Sequence, residues 1–406
     1  MKKLIYTFIS NKKGMGIDEI FSRFIESGKI FKNRDVLSLS FTPQTIPHRE
    51  KQINELARII APALVGSKPS NVFIYGRCGT GKTLVSLYVT EELIKRSKNV
   101  KRIYINCKLK GSDTKYRLFA TISKELGKEI PFTGLPTDTV YSMFIENVEK
   151  EGKVIILILD EIDVLTEKTN GDILYTLTRI NQELRNSKLS IIGITNKLGF
   201  LETLDPRVRS SLSEEELIFP PYNALQLKDI LIQRAALAFS EGVLEEGVIE
   251  KCAALAAQEH GDARRALDLL RVAGEIAERE GSPKVKIEHV DMAEEKIDTD
   301  KFLEIVKTQP KQSQLVLYTI LKLHEEKSEI QTGDVFNRYS SLCRELGFTP
   351  LTQRRVSDLI AELDLFDIIS TKIISFGRYG RTRIINVNLP DSTLFKIKKY
   401  LSEVFL

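Results

Sequence analysis

Apolar positions along the chain follow two rhythms, and the change between them divides it. The stretches "NVFIY", "KRIYINC", "VIILILDEID" and "LSIIGITN" are short, nearly unbroken apolar runs. Such runs, separated by segments of helical spacing, read as strands buried on both faces of a parallel sheet. Ahead of them a helix is predicted between Pro47 and Gly66, with Ile53, Leu56, Ile59 and Ile60 on one face. Another starts at Gly81, where Leu84, Leu87, Tyr88, Leu93 and Ile94 recur at helical intervals. As far as about Phe219 the pattern predicts a doubly wound α/β domain.

Beyond "FPPYNA" the strands stop. Residues 224–298 carry four helical patterns, one with Ala266, Leu270, Ala273 and Ala277 as its apolar stripe, and read as a helical lid. A polar stretch near 297–312 then leads to further helices, a short strand pair around "IISFGRYGRTRIINV" and a closing basic helix. Residues 1–40 lack sustained periodicity and read as an arm. The expected division is an arm at 1–40, a base at 41–222, a lid at 223–298 and a carboxyl-terminal domain at 299–406. There is no internal repeat and no low-complexity segment.

Between the first strand and its helix stands "GRCGTGKT": Gly76, Arg77, Cys78, Gly79, Thr80, Gly81, Lys82 and Thr83. Glycines there allow successive N–H groups to converge on an anion at the positive end of the helix. The spacing fits G-x-x-x-x-G-K-[ST], in which the lysine reaches the outer phosphates of a nucleotide and the hydroxyl coordinates Mg²⁺. A phosphate cradle is expected.

Two later strands end in polar groups suited to that cradle. "ILILDEID" puts Asp160 and Glu161 at a strand terminus, where the first can hold Mg²⁺ opposite Thr83 and the second can orient or deprotonate an attacking water. "IIGITN" ends in Thr195 and Asn196, whose amide could bond both that water and the γ-phosphate or could simply form a turn. In the lid, Asp262 is placed to cap a helix, and Arg264 or Arg265 could report on the γ-phosphate.

At the carboxyl end, Thr352 can cap a helix whose Val356, Leu359, Ile360 and Leu363 form one face. Arg354, Ser357 and Ala361 point the other way, with Gln353 and Arg355 on the flanks. A basic, small-residue face of this kind suits a major groove about 12 Å wide, although a solvated surface would have the same composition. The next segment carries Lys372, Arg378, Tyr379, Gly380, Arg381 and Arg383 without an acidic residue, and looks like the wing of a winged-helix domain.

Charge sharpens this picture. The net charge of +5 is uneven: residues 1–34 have eight Lys/Arg against three Asp/Glu, and residues 301–406 sixteen against twelve, which leaves the middle acidic. Basic ends around an acidic centre suit a polyanion gripped at the ends, although a solvated surface explains each excess equally well. Cys78, Cys107, Cys252 and Cys343 are scattered singly, which indicates neither a disulfide framework nor a zinc site, and a cytoplasmic setting without a membrane span is expected.

Together these residues resemble the AAA+ ATPases, with Walker A at 76–83, Walker B at 155–161, sensor 1 at Asn196 and sensor 2 at Arg264. Further stretches are similar, in order, to the archaeal replication initiators, relatives of the eukaryotic origin recognition complex and of its helicase-loading partner. They include "IPHREKQINELARIIAPAL", "LTRINQELR", "LDPRVRSSL", "FPPYNALQLKDIL", "GDARRALDLLRVAGEIAE" and "LTQRRVSDLIAELDL". The resemblance covers about residues 40–390. It implies an AAA+ base with an α-helical lid and a winged helix, binding ATP or ADP with Mg²⁺ and hydrolysing ATP. Hydrolysis would be slow in an isolated subunit, because a trans-acting arginine contributes roughly 10³–10⁵ in rate.

The resemblance also implies residue roles. Pro47, His48, Arg49 and Tyr222 would border the adenine; from the residues alone, His48 serves equally as a surface helix-start residue and Tyr222 as a core aromatic. The segment 171–184, with Gly171, Tyr175 and Arg179, would be an inserted helix that touches DNA, where composition alone reads an ordinary base helix. Arg207 and Arg209 fall where a trans-acting arginine finger is placed, Arg209 being the catalytic candidate and Arg207 the alternative. Arg77 and Cys78 replace the Lys-Thr of many relatives, and their side chains are expected to point away from the cradle. Implied partners are double-stranded origin DNA, the replicative helicase and paralogous initiator subunits.

Two other functions compete. A protein-remodelling ATPase would need an aromatic-x-Gly pore loop after the second strand; "NCKLKGSD" has no aromatic there, and Phe132-Thr133-Gly134 lies too late. A signalling or transcription-regulating ATPase with a winged helix would differ in the DNA it occupies, promoter rather than origin.

Overall fold

The apolar runs form strands where predicted. The structure, a computed structural model, describes residues 30–38, 41–108, 114–131, 133–169, 171–212, 214–327, 329–375, 381–387 and 389–405. The chain separates into two units, one ending at Val290 and the other running from Asp291 to Leu406.

In the first unit, helix α1 (Glu50–Ile60) precedes β1 (Asn71–Gly76), α2 (Lys82–Arg96), β2 (Val100–Asn106), α3 (Lys115–Glu125) and α4 (Thr137–Glu149). Then come β3 (Val154–Asp160), α5 (Ile162–Thr169), α6 (Asp172–Arg179), β4 (Lys188–Thr195), α7 (Pro206–Leu212) and β5 (Glu214–Phe219). The five strands are parallel in the order β2-β3-β4-β1-β5. Every residue of β1 and β3 is buried, because helices cover both faces, and this explains why their sequences do not alternate. On one face Leu56 and Ile60 of α1 pack beneath Val72, Ile74 and Ile156; on the other, α3 to α6 cover Phe73, Leu157 and Leu159.

Strand β1 lies between β4 and β5, while the chain that leaves it returns as β2 at the far edge. Its carboxyl end therefore opens at a topological switch point, where α/β sheets bind ligands. Helices α8 (Ala224–Ala238), α9 (Val248–Gln258) and α10 (Ala263–Glu280) form the lid, and the predicted stripe Ala266, Leu270, Ala273 and Ala277 is buried.

Two expectations change here. The described end of the predicted arm, residues 30–38, is fastened to the lid. Phe31 packs against Phe239 with ring centroids 4.7 Å apart, Ser240 N donates to the Ile30 carbonyl, and Arg34 pairs with Glu278. Gly274 of α10 makes the notch for it, since a Cβ there would lie 2.4 Å from Phe31 Cζ. Four apolar residues, Ile30, Phe31, Val36 and Leu37, bury themselves without forming a period, and a search for periodicity passes over them. Residues 1–29 lie outside the described residues.

The polar stretch near 297–312, expected only to lead to further helices, is itself largely helical. Helix α11 (Ile287–Thr308) runs through most of it and ends before Pro310, after which α12 (Lys311–Glu326) begins. Polar composition reflected an exposed helix face.

The second unit adds β6 (Ile330–Gln331), α13 (Thr332–Glu345), α14 (Gln353–Leu365), β7 (Ser370–Ser375), β8 (Arg381–Asn386) and α15 (Asp391–Phe405). Its three strands are antiparallel in the order β6-β8-β7. The predicted inner face of α14, Val356, Leu359, Ile360 and Leu363, is buried with Ile385 of β8 and Tyr339. Among the described residues no helix is long and apolar enough to cross a membrane.

Candidate nucleotide site and nucleic-acid interface

The turn from β1 into α2 wraps around Lys82. Its buried ammonium donates to the carbonyls of Gly76 at 2.8 Å and Arg77 at 2.7 Å, and to Asn196 Oδ1 at 2.8 Å. Burial pushes its pKa below the usual lysine range. One cation thus joins the loop to the end of β4. Gly81 precedes α2 with φ of 89°, a left-handed conformation that glycine adopts at little cost.

Opposite the loop, Asp160 at the end of β3 is buried and accepts Thr83 Oγ1 at 2.7 Å. Two hard oxygens so placed suit an ion that takes its remaining ligands from phosphate and water, as Mg²⁺ does, and Thr83 and Asp160 are the residues that would hold it. Bound there, Mg²⁺ would neutralise phosphate charge. Glu161 follows with φ of 53°, which turns its carboxylate toward the same cavity.

That cavity has a volume of about 1010 Å³. Its phosphate end is lined by 78–83 of the loop with Asp160, Glu161 and Asn196, and its other end by Pro47, Tyr222 and lid residues including Arg264. The lid reaches the loop directly. Ala263 N donates to the Gly79 carbonyl at 3.2 Å, and a Cβ on Gly79 would sit 1.5 Å from Asp262 Oδ1, the oxygen that caps α10 through Arg264 N. Arg265 turns away to Glu259, which leaves Arg264 as the lid arginine at the site.

Two of the predicted adenine neighbours sit elsewhere. His48 pairs with Asp229 of α8 at 2.8 Å and does not line the cavity. Arg49 is buried behind the loop, donating to the carbonyls of Thr80 and Pro220 and lying 3.8 Å from the Tyr222 ring centroid. Of the four predicted adenine neighbours, Pro47 and Tyr222 line the cavity, the latter at once core aromatic and cavity wall. Cys78 corrects a further expectation: its thiol lines the cavity and accepts Arg264 Nη1 at 3.4 Å, while Arg77 is exposed and outside it.

Arg207 and Arg209 are exposed on α7, away from this cavity. Arg207 is engaged: its fork grips Asp205 at 3.1 and 3.0 Å and holds that carboxyl down at about 2. Arg209 has no side-chain partner among the described residues.

In the second unit Thr352 caps α14 by accepting Arg355 N. Gln353, Arg354 and Arg355 are exposed; Arg355 pairs with Glu362 at 3.1 Å, whereas Arg354 has no side-chain partner among the described residues. Arg383 of β8 turns back to donate to the Ser357 carbonyl at 3.2 Å, fastening the strand to the helix. Arg378, Tyr379 and Gly380 lie outside the described residues, as does the side chain of Arg381. In the first unit, Gly171 starts α6 with φ of 76°, and Arg179 is exposed and stacks 4.5 Å from the centroid of half-buried Tyr175.

Comparison with known proteins agrees with this arrangement. Residues 65–198 match the family model for an AAA domain, 228–295 that for the Cdc6 AAA+ ATPase-type lid domain, and 304–396 that for the CDC6 C-terminal winged helix domain. The ORC1-type DNA replication protein of Thermococcus onnurineus is 54% identical over 392 residues, 94% of this chain and 93% of that one. The chain belongs to the ORC1-type DNA replication proteins. The Pyrococcus abyssi member is 52% identical over 401 residues, 97% of this chain and 95% of that one. The structure of the Aeropyrum pernix ORC1 protein in complex with DNA aligns with a TM-score of 0.80 at 46% identity, covering 93% of this chain and 98% of that one.

In this ORC1-type chain the site also holds groups that motif spacing does not reveal. Asp163, the second residue of α5, accepts Thr195 Oγ1 at 2.9 Å and so braces the strand end that leads to Asn196. Tyr104 and Asn106 of β2 line the cavity beside Asp160. Their run, "KRIYINC", gave one signal: polar and aromatic residues at alternate positions just before the strand ends.

Proposed function

We propose that this chain is an ATP-switched initiator that recognises replication origins as double-stranded DNA and helps to recruit the replicative helicase. The observation that carries it is one polypeptide combining a lid-closed phosphate loop with a winged helix whose Arg354 is exposed and has no side-chain partner among the described residues, in a family whose Aeropyrum pernix member is known in complex with DNA. Within it, Lys82 and the loop hold ATP or ADP, Thr83 and Asp160 hold Mg²⁺, Glu161 activates water, and Asn196 and Arg264 sense the γ-phosphate. The proposed domains are a base at 41–222, a lid at 223–298 and a winged helix at 299–406.

Hydrolysis in the lone subunit is slow because Arg209 acts on the nucleotide of a neighbouring, paralogous subunit on the same DNA. Arg207 is the weaker candidate, being occupied by Asp205. Arg354, Gln353 and Arg355 meet the major groove; Tyr175 and Arg179 add a contact from the base. Mapping the DNA bound by the protein across a genome tests the proposal. Occupancy concentrated at sites of replication initiation is expected, and occupancy confined to promoters would replace it with a transcriptional role.

A further inference from the structure

The reading of the cavity as a Mg²⁺–nucleotide site, on which this inference rests, gives Tyr104 no role, although its hydroxyl reaches the centre of that site. Tyr104 Oη donates to Asp160 Oδ2 at 3.0 Å, the oxygen that also accepts Thr83 Oγ1 at 2.7 Å. The other oxygen, Oδ1, accepts Glu161 N at 2.9 Å. Three donors from β2, α2 and the turn after β3 therefore hold one carboxylate from three directions.

Strand register explains why a tyrosine is used. In the β2–β3 ladder Asn106 is the residue opposite Asp160, and Tyr104 stands opposite Ile158, a full residue pair earlier. A side chain on that level needs length to reach the end of β3, and it must pass along the cavity wall. Tyrosine supplies an apolar ring for the wall and a donor at its tip. A phenol hydroxyl that faces an ionised carboxylate can only donate to it, since the carboxylate offers acceptors alone.

We propose that Tyr104 is a positioning residue for the divalent cation: its hydroxyl locks the Asp160 carboxylate in the orientation it shares with Thr83, and so governs how tightly the loaded pocket retains the ion. Nucleotide contacts lie with the loop and the lid. Loss of the hydroxyl should therefore separate cation affinity from nucleotide affinity, which general loosening of the fold would not do.

The test compares the wild-type chain with Tyr104→Phe, which keeps the ring. ADP affinity is measured in EDTA, and Mn²⁺ is then titrated into the ADP-loaded proteins with the free ion followed by electron paramagnetic resonance. Tyr104→Phe should bind ADP in EDTA within about twofold of wild type, and Mn²⁺ about tenfold more weakly, the loss expected of one hydrogen bond to an ionised group. Tyr104→Leu should lose Mn²⁺ affinity to the same extent. Wild-type Mn²⁺ affinity in Tyr104→Phe, or an equal loss of ADP affinity in EDTA, overturns the inference and leaves the pocket reading intact. A wild-type chain that binds neither ADP nor Mn²⁺ overturns both.

Discussion

The buried guanidinium of Arg49 donates through Nε to the carbonyl of Thr80 at 2.9 Å, tying the phosphate loop to the chain segment that enters α1. Nη2 reaches the Pro220 carbonyl beyond β5 at 2.6 Å, so a single side chain spans loop and sheet edge. Arg49→Ala should cost about 2–4 kcal/mol, because it strips a charged donor from the carbonyls of His48, Thr80 and Pro220 and opens a hole beneath Tyr222. Arg49→Lys should recover little, since an ammonium cannot reproduce the fork. Urea unfolding with and without ADP checks both; a stability within 1 kcal/mol of wild type in Arg49→Ala would show that the tie is dispensable.

Lys82 and Glu161 should fail in different ways. Lys82→Ala removes the cation that gathers Gly76, Arg77 and Asn196, and nucleotide binding should be lost. Glu161→Gln keeps the loop and the Thr83–Asp160 contact, so ATP should bind nearly as in wild type while hydrolysis falls by about 10²–10⁴-fold. Equilibrium binding and single-turnover hydrolysis separate the two. Unimpaired turnover in Glu161→Gln would remove it from the chemistry.

The chain should retain ADP through purification, and the strap at 30–38 should help to keep it. Ser38 and Val36 line the cavity, while Phe31 and Arg34 fasten the same segment to α10 and its neighbours. Phe31→Ala empties the notch above Gly274 and should speed ADP release severalfold with little change in the chemical step. Displacement of labelled ADP by excess unlabelled nucleotide measures this. An unchanged release rate would confine the strap to a packing role.

On DNA, Arg354→Ala should weaken a preferred duplex more than a scrambled one, by about 1–3 kcal/mol for a lost bidentate base contact. Arg381→Ala should weaken both more evenly and reduce the salt slope by about one phosphate. Arg383→Ala loosens β8 from α14 and should reduce selectivity together with thermal stability. Salt titrations on both duplexes distinguish the three, and a chain lacking 300–406 that still binds selectively would place the reader elsewhere.

Much of this protein follows from spacing alone. The loop from Gly76 to Thr83, the carboxylates at the end of β3 and the buried face of α14 depend on residues within one or two turns or strands of each other, so their geometry is written in local order. Family-specific stretches extended that legibility to the winged helix. What spacing could not say is which polar groups meet across the fold. Arg49 read as an adenine neighbour because it follows Pro47 and His48, yet its partners Thr80 and Pro220 are 31 and 171 residues away. Cys78 read as turned outward, and only the closure of α10 over the loop brings Arg264 to its sulfur. The arm became a strap because Phe31 found the notch at Gly274, which Phe239 also borders, so that three segments define one vacancy. Tyr104 acquired its contact from the register of β2 on β3. Hydrophobic period is a property of neighbours in the chain, whereas a buried hydrogen bond belongs to whichever donor and acceptor the packing leaves without water.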